Sequence, residues 1–186
     1  PDVSYHGVVY TETGLPPYIL RARVVPLRNM GASQTPMNSF LIMQGIETLA
    51  LRMDRICDNT LAVAKYLEDH SQVEWVRYAG LDSSPHKALL DKYMGGRGSG
   101  VMSFGVKGGK EAAPKFIDAV NLITRLVNIG DAKSLACHPA STTHRQLSPE
   151  ELATSGVSED LIRLSIGIEH IDDIIEDIDQ ALEATK

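Results

Sequence analysis

The feature that most constrains this fold is an alternation, over residues 73–183, of short runs of strand formers with helical patterns. Val73-Glu-Trp-Val-Arg-Tyr78 and Val101-Met-Ser-Phe-Gly-Val-Lys107 are rich in β-branched and aromatic residues and predict two strands. Leu126 to Asn128 and Ser134 to Cys137 predict two shorter pieces around Gly130, and Leu161 to Ile166 a last strand. His86 to Met94 and Lys110 to Leu122 read as helices, the second with Phe116, Ile117 and Val120 inward. Ser148-Pro-Glu-Glu151 has the residues of a capping box, and Gly156 supplies a stop. Ile171, Ile174, Ile175, Ile178 and Leu182 mark an amphipathic final helix, with Asp172 and Asp173 in its first turn, where the helix dipole favours them. Four or five short strands interleaved with helices predict an α/β chain: an α+β sandwich with helices packed on a small, mostly antiparallel sheet.

The first third reads differently. Residues 1–17 predict an exposed, irregular lead-in, because Gly7, Gly14 and the Pro16-Pro17 pair oppose helix. Tyr18 to Met30 predicts a short helix interrupted near Pro26. Thr35-Pro36 has the form of an N-cap followed by proline at the first helical position. From Phe40 to about His70 the apolar residues keep helical spacing, as one long helix or as two parted near Gly45.

A chain of 186 residues can bury a core, and 43% hydrophobic with 23% charged residues is ordinary for a globular protein. The net charge of −6 argues against nucleic acid as the main partner. Acidic residues gather at the C-terminal end, where a helix is expected to carry them on a solvated face. No apolar run approaches the ~20 residues needed to span a bilayer, and the first residues lack the basic-then-apolar order of a signal peptide. The missing initiator methionine implies processing or a longer parent. Cys57 and Cys137 sit in apolar surroundings without CxxC spacing, so buried reduced thiols and a cytoplasmic protein are expected rather than a zinc or redox site.

Arg163 is the first candidate for chemistry. Ile162 and Leu164 flank it and point to the opposite face of their strand, while Leu161 and Ser165 share its face. An arginine so placed either pairs with an internal carboxylate or is held for a ligand anion, whose carboxylate its planar fork can bind through two parallel bonds. His138 reads as a general base or as a hydrogen-bonded structural histidine. Thr142 and Thr143 either donate to a ligand or close a turn. Gly95-Gly-Arg-Gly-Ser-Gly100 matches no phosphate-binding fingerprint, leads into a strand, and reads as a flexible connection. Glu169 has no partner that the sequence names.

Four segments then carry a resemblance. They are Asn128-Ile-Gly-Asp-Ala-Lys-Ser-Leu135, His138-Pro-Ala-Ser-Thr-Thr-His144, Ser148-Pro-Glu-Glu151 and Ile162-Arg-Leu-Ser-Ile-Gly-Ile-Glu169. With Pro36-Met-Asn-Ser-Phe-Leu41, Gly45-Ile-Glu-Thr-Leu-Ala-Leu-Arg-Met53 and Ser103-Phe-Gly-Val-Lys-Gly-Gly109, they resemble the Cys/Met-metabolism family of pyridoxal-phosphate enzymes, and within it the O-acetylhomoserine sulfhydrylase branch. The resemblance covers nearly the whole chain. It implies the C-terminal part of an aspartate-aminotransferase-like (fold type I) subunit, less than half its length. Residues 1–46 would be the end of the cofactor-domain region with connecting helices, and 47–186 the C-terminal small domain.

The resemblance further implies that Arg163 binds the substrate's α-carboxylate, that Asn128 lines the same pocket, and that Thr143 sits near it. The activity implied is γ-replacement of acetate by sulfide to give homocysteine, in methionine and cysteine biosynthesis. The alternatives are a related γ-lyase or cystathionine γ-synthase, or a non-catalytic docking domain. The family's Schiff-base lysine lies in a segment that matches nothing here, so no catalytic role passes to any lysine of this chain. Pyridoxal phosphate is expected in the parent enzyme but not covalently on this chain alone. The implied partners are the N-terminal cofactor-binding portion, further copies in a homo-oligomer, and a small amino-acid substrate, with no nucleic acid and no membrane.

Overall fold

The computed structural model describes residues 1–186, and its backbone divides at Thr48 into two units, Pro1–Thr48 and Leu49–Lys186. In the first unit, a bridge between Asp2 and Val8 and a 3-10 turn at Tyr10–Glu12 precede helix α1 (Pro17–Ala22). Pro26 lacks an amide donor, so an interruption is expected there. The chain absorbs it as a π-helical turn over Arg23–Leu27 and continues as α2 (Arg28–Met30). Thr35 accepts the Asn38 amide at 3.2 Å and caps α3 (Pro36–Glu47), as its position before proline predicts. The break comes at Thr48, not Gly45, so the long apolar pattern is two helices.

The second unit starts with α4 (Leu49–Glu68), whose Ile56, Val63, Ala64 and Leu67 are fully buried at helical spacing. There follow β1 (Val73–Arg77), α5 (Lys87–Met94), β2 (Val101–Val106), α6 (Gly109–Ala119), β3 (Thr124–Arg125), β4 (Leu135–Cys137), α7 (Pro149–Thr154), β5 (Leu161–Ser165) and α8 (Ile171–Glu183). The five strands form one sheet in the order β1-β2-β5-β4-β3, antiparallel except for the β3–β4 pair. Met102, Phe104, Ile162, Leu164 and Ala136 project from one face into a single core with Val63, Phe116, Ile174 and Ile178. Alternation along a strand sends the intervening residues to the other face. That face carries Trp75, Arg77, Ser103, Arg163 and Cys137.

Four expectations need correction. Leu126 to Asn128 is not a strand; the edge pair is Thr124–Arg125, beyond which the chain leaves the sheet and brings the Asn128 carbonyl to Arg163. The helix expected to reach Leu122 stops at Ala119 because Asp177 of α8 captures the amides of Asn121, Leu122 and Ile123, at 2.8, 3.0 and 2.9 Å. A carboxylate that accepts three main-chain donors satisfies itself inside the protein, so Asp177 is buried rather than part of a solvated acidic face. The Gly95–Gly100 loop is tethered rather than free: the Cys57 thiol donates to Gly98 O, the Tyr78 hydroxyl to Ser99 O, and Arg97 pairs with Asp58 at 2.8 Å. The capping box at Ser148 and Glu151 forms as its spacing predicts.

Candidate functional site

Arg163 sits in the middle of the central strand, opposite Ser103 of β2 and Cys137 of β4. Ile162 and Leu164, on either side, are fully buried in the core and fix the strand's rotation. The guanidinium is therefore held on the face turned away from the core. Its Nη2 donates to the main-chain oxygen of Asn128 at 3.3 Å. Burial pushes the Cys137 thiol up, against the opposing pull of the Arg163 charge, so the neighbour is a neutral thiol and not a counter-ion. A cavity of about 310 Å³ opens beside Arg163, also lined by Arg77, Ser103, Leu161, Pro139 and His144, and no acidic side chain lines it. That volume lies at the lower end for small-molecule sites, roughly 300–1,000 Å³.

The connection from β3 to β4 is locked to the end of β5. Ser134, fully buried, donates its amide and its hydroxyl to the two carboxylate oxygens of Glu169, at 2.6 and 2.9 Å. The same hydroxyl accepts the Gly167 amide at 2.9 Å. A Cβ at Gly167 would collide with the Ala132 carbonyl, so only glycine lets the two segments approach this closely. Glu169 thus has hydrogen-bond donors rather than a basic side chain as its carboxylate's partners. Asn59 of α4 donates to the Gly167 and Glu169 carbonyls and completes the clamp.

The sequence-derived candidates separate in space. Arg163 lines the cavity. Asn128 meets it through its backbone oxygen, while its exposed side chain lies 3.5 Å from Asp131. Thr143 does not line the cavity; its hydroxyl is 2.8 Å from Nδ1 of His144, which does. His138 is structural. Its Nε2 lies 2.9 Å from the Glu159 carbonyl, which only accepts, so Nε2 carries the proton and Nδ1 accepts from Ser141 at 2.8 Å. With both ring nitrogens engaged, no lone pair remains for a substrate proton. Thr142 closes the turn by donating to the His138 carbonyl at 2.8 Å.

Arg77 was not singled out by sequence. Its signal lay in the alternation of Val73-Glu-Trp-Val-Arg77, which puts Trp75 and Arg77 on one face of β1. The guanidinium stacks 4.4 Å from the Trp75 ring centroid and donates to the Gly156 carbonyl at 3.2 Å. None of the eight lysines lines the Arg163 cavity. The residues lining this cavity therefore do not fit a covalently anchored pyridoxal phosphate there.

Comparison with known proteins places the chain among its relatives. The sequence pattern of the Cys/Met metabolism PLP-dependent enzyme family matches residues 5–183. A homocysteine synthase of Schizosaccharomyces pombe is 49% identical over 98% of this chain and 43% of its own length. O-acetyl-L-homoserine sulfhydrylase 1 of Thermus thermophilus is 46% identical, with 98% and 44% covered. A crystal structure described as an O-acetylhomoserine (thiol)-lyase from Campylobacter jejuni, which carries a pyridoxyl-lysine phosphate, superposes with a TM-score of 0.88 at 43% identity, covering 98% of this chain and 44% of that one. The chain thus spans less than half the length of the relatives it matches.

Proposed function

Because this chain belongs to the Cys/Met metabolism PLP-dependent enzyme family, we propose that it forms the part of an O-acetylhomoserine sulfhydrylase that binds the substrate's α-carboxylate. The observation that carries this reading is Arg163: a guanidinium on the central strand, held by a main-chain oxygen, beside a neutral thiol, in a cavity without an acidic side chain. A charge so uncompensated is suited to an anionic ligand, and the planar fork matches a carboxylate. Holding that carboxylate by two bonds would fix the rotation of the amino acid, a positioning role. Asn128, whose carbonyl orients the guanidinium, and Thr143, which touches His144 at the cavity wall, are assigned supporting places in the substrate site.

The reaction proposed for the whole enzyme replaces acetate by sulfide: the Cγ–O bond breaks, acetate departs with the bonding pair, and the sulfur forms the Cγ–S bond of homocysteine. In this family the cofactor supplies the electron sink. No lysine lines the Arg163 cavity. We assign the cofactor lysine to the portion of the enzyme that this chain does not span. Residues 1–46 are taken as the end of the cofactor-domain region with its connecting helices, and 47–186 as the small domain. The parent enzyme is read as a homo-oligomer of the cytoplasm. No helix is long and apolar enough to cross a membrane, and both cysteines are free and buried.

The test is Arg163→Ala in the intact enzyme, with O-acetylhomoserine and sulfide. Loss of a fully engaged charge pair predicts a fall in kcat/KM of about 10²-fold, with KM raised. Unchanged kinetics would defeat the assignment. An L-methionine gamma-lyase of Pseudomonas deceptionensis is 45% identical over 96% of this chain, which makes elimination the second reading. A panel of sulfide, cysteine and no acceptor separates the sulfhydrylase, synthase and lyase activities.

A further inference from the structure

Arg163 is aimed by a carbonyl, and that carbonyl belongs to a segment with little packing of its own. The chain between β3 and β4 carries Asn128, and Thr124 to Ile129 are all exposed. Burial therefore fixes little of this stretch, and its course is set by how its ends are tied. At the start, Arg125 pairs with Asp118 of α6 at 2.7 Å. At the far end, the Ala132 carbonyl accepts the Ile168 amide at 2.9 Å, and Ser134 gives its amide and its hydroxyl to the Glu169 carboxylate.

Glu169 is itself held from the other side. Asn59, buried in α4, donates to the carbonyls of Gly167 and Glu169 at 3.1 and 3.0 Å. Arg55 of the same helix donates to the Glu169 carbonyl at 3.2 Å. The helix thus fixes the main chain at Glu169, while the Glu169 side chain fixes Ser134. A carboxylate that accepts an amide and a hydroxyl makes charge-assisted bonds, the stronger kind. One continuous line of contacts therefore runs from α4 through Glu169 and Ser134 to the Asn128 segment. It ends where the Asn128 carbonyl meets Nη2 of Arg163 at 3.3 Å.

We propose that Glu169 is a positioning residue for the substrate site. It touches no substrate. Its carboxylate holds the β3–β4 segment against the end of β5, so that the Asn128 carbonyl keeps the Arg163 guanidinium turned to receive the α-carboxylate. This rests on the reading of Arg163 as the α-carboxylate site. It gives the clamp a role in substrate recognition, beyond joining two segments of chain. The sign of the effect is diagnostic. Through charge alone, removing a negative group near the site would favour a carboxylate ligand and lower KM. Loss of positioning raises it.

The test is a double-mutant cycle in the intact enzyme, with O-acetylhomoserine and sulfide. Glu169→Gln keeps the length of the side chain and one acceptor oxygen, but puts a donor where the second oxygen was. It should lower kcat/KM for O-acetylhomoserine about tenfold, chiefly through KM, with kcat held within about threefold. KM for sulfide, which has no carboxylate, should stay within about twofold. On an Arg163→Ala background the same substitution should change kcat/KM by less than about twofold, because the group it positions is gone. Thermal unfolding of each variant shows that it folds. Ser134→Ala, which breaks the hydroxyl link and keeps the carboxylate, takes the place of Glu169→Gln in the cycle if the latter does not fold. If the two substitutions act by independent factors, or if KM for O-acetylhomoserine falls or stays the same, Glu169 does not act through Arg163 and this inference fails while the Arg163 site stands. If Arg163→Ala alone leaves the kinetics unchanged, both readings fall.

Discussion

Helices α3 and α8 are of nearly equal length and both rich in large apolar residues, yet they meet opposite fates. In α8 the apolar side chains occupy one stripe, and Ile174, Ile178, Ala181 and Leu182 are all fully buried against the sheet and its neighbouring helices. In α3 they run consecutively, Phe40-Leu41-Ile42-Met43, and so point to every side. Phe40 is 55% exposed, Ile42 54% and Met43 61%. An apolar stripe needs one surface, which the sheet of the same unit supplies. A helix apolar all round needs surroundings on every side. The second unit therefore holds its own core. The first presents exposed apolar surface of the kind that marks an interaction site.

The sharpest way to break that contrast is in the core of the second unit. Phe104 is fully buried and meets Phe116 edge-to-face at 5.4 Å between ring centroids. Phe104→Ala is expected to cost about 3–5 kcal/mol, from lost transfer free energy and the cavity left behind. Chemical denaturation followed by circular dichroism measures this. A loss below about 1 kcal/mol would mean that the second unit does not depend on this core.

Which parts were legible in the sequence follows from the same contrast. α8, β2, β5 and the Ser148 cap were readable because period and capping residues are local signals, and the surroundings agree with them. Arg163 could be placed on the face away from the core because Ile162 and Leu164 leave it no other. The end of α6 was not readable, since it is set by Asp177, some 55 residues later, and a buried aspartate looks in sequence like any acid of an amphipathic helix. Glu169 and Ser134 escaped for the same reason: a carboxylate satisfied by a serine amide and hydroxyl bears no charge pattern. Arg77 was missed although its alternation with Trp75 was visible, because a row across three strands requires the register. The sheet order supplied it.

A smaller effect tests how α8 is fastened to α4. The Tyr66 hydroxyl donates to Asp179, which His70 also approaches at 3.3 Å. Desolvation, reinforced by the Asp179 carboxylate, pushes the Tyr66 hydroxyl up to about 12. The Tyr66 hydrogen bond in turn holds Asp179 below the ordinary carboxylate range. The signs are opposite. The contribution of Tyr66 is complete below pH ~10 and is lost as pH rises through about 12. That of Asp179 is present above the ordinary carboxylate range and is lost as pH falls through its lowered value. Tyr78 is also raised to about 12, by burial. Absorbance titration at high pH should therefore show a late tyrosine phase that shrinks in Tyr66→Phe but does not vanish. An unchanged late phase would detach Tyr66 from this seam.

The smallest expected effect on stability is the one that discriminates best. Phe40→Ser with Ile42→Ser places two hydroxyls where the structure has solvent-exposed hydrocarbon. Neither side chain belongs to the core of the second unit, so its unfolding free energy should change by less than about 0.5 kcal/mol. The same double substitution removes apolar surface that draws molecules together, so self-association measured by sedimentation, and binding of a hydrophobic dye, should both fall. These two readouts must move apart for the contrast to hold. If unfolding is weakened by more than about 1 kcal/mol, α3 contributes to a core as α8 does. If association is unchanged, the exposed side chains of α3 are not what would bind another body.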